Sequence, residues 1–124
     1  MIRKRLGLIA AAALLVAPPS FSFAQDRDPA GRQALLDLAY VLGEAHALKQ
    51  ACEPNSQYWR ARMERLIELE KPDQDFHKRL ADRFNTGFTV REAQFPACNA
   101  AARAEAAAAA RRGRALAQGL ARIR

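Results

Sequence analysis

Four side chains stand out as able to hold a metal ion or act as nucleophiles and proton carriers: His46, Cys52, His77 and Cys98. Their spacing argues against zinc. There is no Cys-x-x-Cys and no His-x-x-x-His, and each of the four falls on a different turn or helix. No metal and no cofactor are expected. Two cysteines in an exported chain are most simply a disulfide, and the helical phase described below brings Cys52 and Cys98 to the same end of an apolar face. A lone bond of this kind lacks the Cys-x-x-Cys arrangement of redox catalysts, which makes its expected role structural.

The other groups with chemical capacity have plainer readings. His46 lies four residues after Leu42 and borders the core stripe of the first helix, so it reads as a core histidine. A role as ligand or pH-sensitive contact is its functional alternative. His77 reads as a surface residue. Glu64 and Glu68 share a helical face at i, i+4, the spacing of an acid–base pair. They are interleaved with Arg60, Arg62 and Arg65, which makes a solvated charged face. Trp59 reads as a core anchor, with Tyr58 beside it pointing outward; the two are also candidates for binding. No serine sits in a recognised triad arrangement, and no glycine-rich loop precedes a helix.

Charge is distributed unevenly. From Gln25 to Ala100 there are eleven basic and twelve acidic residues, while Ala101 to Arg124 holds six arginines and one glutamate. Arg111, Arg112, Arg114 and Arg122 are therefore candidates for an anionic partner, an envelope protein or an anionic envelope surface. Nucleic acid is not expected in an exported protein.

Helices must position all of these groups, for no strand pattern occurs anywhere. Asp28-Pro29 supplies an N-cap and a proline at the first helical position. Leu35, Leu38, Leu42, Ala45 and Cys52 then recur at helical spacing to about Ala51, where Glu53-Pro54-Asn55 breaks the helix. A second helix begins after Asn55-Ser56, carries Trp59, Met63, Leu66 and Ile67, and stops at Lys71-Pro72. A third begins at Asp73, and Phe76, Leu80, Phe84, Phe88 and Phe95 mark its stripe. Asn85-Thr86-Gly87 is a weak spot inside it, but the stripe keeps its phase, so one helix runs to about Gln94. From Asn99 to about Leu120 an alanine-rich helix follows, with Leu116, Leu120 and Ile123 as a thin apolar stripe. Alanine buries little surface, so this basic tail is expected to add little to the core. The fold class is all-α: a small bundle of three helices plus an Ala/Arg-rich C-terminal helix, with one disulfide.

The N-terminus has the three parts of a cleavable export signal. These are Arg3-Lys4-Arg5, an apolar run from Leu6 to Ala17, and a small-residue site ending Ser22-Phe23-Ala24. The run is shorter than the ~20 residues a spanning helix requires. The expected division is therefore residues 1–24 signal peptide, 25–100 disulfide-linked helical domain and 101–124 basic helix or tail. No transmembrane segment is expected after cleavage, and the location is periplasmic or secreted.

The order Leu42-Gly43-x-x-His46-x-Leu48-x-x-x-Cys52, Trp59-Arg60-x-x-Met63, Phe84-Asn85-x-Gly87-Phe88 and Cys98 resembles a family of small exported alphaproteobacterial proteins catalogued as a domain of unknown function. The similarity runs from about Leu35 to Cys98 and leaves the arginine-rich tail outside. It implies an envelope location and a paired-cysteine helical domain, and hands over no catalytic residue. The resulting expectation is a non-enzymatic periplasmic binding or adaptor protein. The alternative is an envelope hydrolase with a site around His46 and a carboxylate.

Overall fold

The computed structural model describes residues 12–15 and 24–122. Most of the expected signal peptide lies outside the described residues, as do Ile123 and Arg124. A 3₁₀ turn at Ala24–Asp26 leads into four helices: α1 (Pro29–Cys52), α2 (Tyr58–Glu70), α3 (Gln74–Gln94) and α4 (Ala100–Arg122). No strand occurs among the described residues.

The helix starts are set by side chains that satisfy backbone N–H groups left without intrahelical partners. Asp28 Oδ1 accepts from Gly31 N at 2.8 Å, with Pro29 at the first helical position. Asp73 Oδ1 accepts from Phe76 N at 2.8 Å, and Asn99 Oδ1 from Ala102 N at 2.8 Å. At α2 the cap differs from expectation. Gln57 occupies it without a side-chain hydrogen bond, and Ser56 Oγ makes only a long contact to Tyr58 N, at 3.4 Å. That helix ends at Lys71 in the left-handed conformation, φ 44°, and Pro72 prevents its continuation. The weak segment Asn85-Thr86-Gly87 stays helical, so α3 is continuous.

Helix α1 is the hub. Every residue from Val41 to Leu48 is buried, as expected of a helix surrounded on all sides. The α3 backbone makes the most extensive contact with α1, followed by α4 and then α2, while those three backbones scarcely approach one another. The main core joins Leu35, Leu38, Ala39 and Leu42 to Met63 of α2, Phe76, Leu80 and Phe84 of α3, and Leu120 of α4. A second cluster joins Ala45 and Leu48 to Ala109, with Trp59 and Phe95 at its margin.

This placement of α4 overturns the expectation that the basic tail adds little to the core. Ala102 and Ala109 are fully buried, and Gly113 and Leu120 are buried as well. Alanine's small volume is the reason. It removes little surface by itself but lets two helix axes come together, so contacts accumulate along the whole length. The segment from Ala101 is therefore the fourth helix of the bundle, and its arginines lie on the solvent side of a packed element.

The disulfide forms between Cys52 and Cys98, whose Cα atoms are 4.7 Å apart. It ties the end of α1 to the α3–α4 connection. Closing a loop of 46 residues' separation stabilises a chain by about 4 kcal/mol in chain-entropy terms.

Candidate functional site

Two buried carboxylates are engaged in holding the helices. Glu44 of α1, 6% exposed, accepts from Arg91 Nε of α3 at 2.6 Å. Its other oxygen lies 3.6 Å from Arg112 Nη2 of α4. Arg91 also reaches Glu105 at 3.4 Å. One buried acid thus meets cations from two other helices. Glu70, at the end of α2, receives a two-pronged hydrogen bond from Arg27, Nε to Oε2 at 2.9 Å and Nη2 to Oε1 at 2.7 Å. The hydrogen bond and charge of Glu70 raise the Arg27 pKa further above its ordinary value. This anchors the segment before α1, where Ala24 is also fully buried. Cleavage after Ala24 would remove that one small contact and leave the Arg27 anchor in place. Neither ion pair was visible in the sequence, because the partners stand 47 and 43 residues apart.

His46 is buried as expected, 5% exposed, against the rings of Phe84 and Phe88 at centroid distances of 5.7 and 5.4 Å. Its Nδ1 has no hydrogen-bond partner among the described residues. Burial pushes its pKa below the ordinary histidine value, and the positive charge of Arg60 adds to that. It is not part of the lining of the trough between α2 and α4 described below. His77 is exposed. Glu64 and Glu68 are exposed and pair within α2 with Arg60 at 3.6 Å and Arg65 at 3.1 Å. Among the described residues no group of three or more His, Cys, Asp or Glu side chains is placed to hold a metal ion.

Tyr58 and Trp59 of α2 and Arg114 of α4 meet at one place. Because both helices lean on α1 and scarcely touch each other, a trough of about 460 Å³ remains between them. Its apolar lining comes from Leu38 and Leu42 of α1, Trp59, Leu66 and Leu69 of α2, and Gly113 and Ala117 of α4. Tyr58, Arg62, Arg65, Ala110 and Arg114 complete it, and no carboxylate belongs to the lining. Tyr58 packs edge-on against Trp59 with ring centroids 4.9 Å apart. The Arg62 guanidinium donates a hydrogen bond to the Tyr58 hydroxyl and lies 4.4 Å above the Tyr58 ring. Of the four tail arginines, Arg114 enters the trough and Arg112 turns to Glu44. Arg111 and Arg122 are exposed.

The fold is a disulfide-linked bundle of four helices, three of them packed on α1, with an apolar trough bearing arginines between α2 and α4. The chain belongs to the family described as protein of unknown function (DUF2385), whose model matches residues 31–123. That match extends through α4, past the Cys98 limit of the resemblance and over the segment the resemblance left outside. No match is found among curated proteins or among solved structures.

Proposed function

We propose that this is an exported, non-enzymatic binding or adaptor protein of the cell envelope. One observation carries the reading. The trough between α2 and α4 is lined by apolar side chains, Tyr58 and three arginines, with no acid, histidine, cysteine or serine in it, which suits a surface for holding something more than one for transforming it. Several of the chemically capable groups elsewhere are engaged by the fold: the cysteines with each other, Glu44 and Glu70 with arginines, and the His46 ring against those of Phe84 and Phe88. The signal-like N-terminus supports export, as does a disulfide, since such bonds persist in oxidising compartments. No helix among the described residues is long and apolar enough to cross a membrane. The cationic face of α4 supplies charge at the edge of the trough, toward an envelope protein or an anionic envelope surface.

The test is affinity capture from envelope extracts with the immobilised chain from Gln25 to Arg124, beside an Ala117→Phe variant that fills the trough. Capture of one component by the native chain and its loss with the variant is expected; identical recoveries would sink the reading. N-terminal sequencing of the exported protein should begin at Gln25, and an intact Met1 would remove the export claim.

A further inference from the structure

The trough places two uncompensated properties side by side. Leu69, on its α2 wall, is 56% exposed, an apolar side chain that water would leave if something covered it. Arg62 and Arg114, on opposite walls, form no ion pair among the described residues, and both are exposed. An apolar trough with guanidinium groups where it opens to solvent is complementary to a molecule with an apolar body and an anionic end. Volume narrows the class. About 460 Å³ lies within the ~300–1,000 Å³ of small-molecule sites, whereas a docked protein of standard size covers about 800 Å² per partner, far more than these walls present.

We propose that the α2–α4 trough binds a single-chain amphipathic anion, with its acyl chain along Leu38, Leu42 and Leu66 and its carboxylate or phosphate head between Arg62 and Arg114. This rests on the binding reading above and names the ligand class of that same site. Guanidinium groups suit such heads because their fork of donors matches two oxygens at once.

Trp59, the only tryptophan in the chain, lines the trough and reports on it directly. The mature protein is titrated with palmitate, with lysophosphatidylglycerol and with lysophosphatidylcholine of equal chain length, each below its micelle concentration, while Trp59 emission is followed. A saturable blue shift is expected. The two anions should bind at least tenfold more tightly than the zwitterion, and whichever of the two binds more tightly identifies the source. An Arg62→Gln/Arg114→Gln variant should keep its circular dichroism, since both side chains are exposed, and lose that tenfold preference. No saturable response to any amphiphile, or equal affinity for anion and zwitterion, overturns the proposal. Failure here with envelope capture still lost in Ala117→Phe would show that the trough holds a protein partner, so that the binding reading survives its ligand. Failure of both removes the binding reading too.

Discussion

Gly43 and Gly87 mark the crossing of α1 over α3, and neither has room for a side chain. A Cβ on Gly43 would stand 1.9 Å from the Phe84 carbonyl oxygen, and one on Gly87 would stand 2.2 Å from that of Tyr40. The obstacle in both cases is backbone, which cannot swing aside as a side chain can. The missing methyl groups allow the two helices to approach closely enough to clamp the ring of His46 and to bring Arg91 to Glu44.

Gly43→Ala and Gly87→Ala should each destabilise the protein by about 3 kcal/mol, the upper end of the usual overpacking cost. Gly119→Ala is the control, because a Cβ there meets nothing within 4 Å. It should instead stabilise α4 by about 0.5–1 kcal/mol through helix propensity. Urea denaturation of the three variants measures this, and equal shifts at all three positions would refute the crossing as the cause.

Removing the Glu44 carboxylate should leave the Arg91 charge poorly compensated between α1 and α3. Glu44→Ala is expected to cost about 3–5 kcal/mol, the range for breaking one side of a buried pair. The double variant Glu44→Ala/Arg91→Ala should cost less than the sum of the two single changes. A double-mutant cycle reads the difference, and strict additivity would mean that the pair contributes nothing to the packing.

His46 ties stability to pH. The fold favours its neutral form, so on acidification the unfolded chain takes up the proton first. Stability from this residue is therefore complete above the ordinary value of 6.5 and falls progressively as pH drops below it. Arg60 acts in the same direction as burial. His46→Leu should flatten the pH dependence of the denaturation midpoint just below pH 6.5 without abolishing folding. An unchanged slope would assign the acid sensitivity to other groups.

Ending the chain at Asn99 should do more than remove charge. It uncovers Ala45 and Leu48, which pack with Ala109, and takes Arg112 away from Glu44. The melting temperature should fall by at least ~10 °C, the equivalent of about 2 kcal/mol in a domain of this size. An unchanged melting temperature would return α4 to the status of a free arm.

The sequence by itself determined the helices, because helix starts and stops are local chemistry. Asp28-Pro29 and Asp73 cap, Glu53-Pro54 and Lys71-Pro72 stop, and Phe76, Leu80 and Phe84 keep one face through a weak segment. Helical phase plus the cysteine count was enough to pair Cys52 with Cys98. What the tertiary structure alone decided is how those helices stack. Gly87 reads locally as a poor helix former, and only the presence of Tyr40 opposite shows it to be a close approach. Glu44 and Arg91 look like two ordinary surface charges until the crossing buries one against the other. The alanine run looks too small to bury anything, yet small side chains let α4 reach α1. The trough follows from the same cause. Three helices each pack on α1 and scarcely on one another, so the gap between α2 and α4 belongs to neither helix and has no signature in either segment.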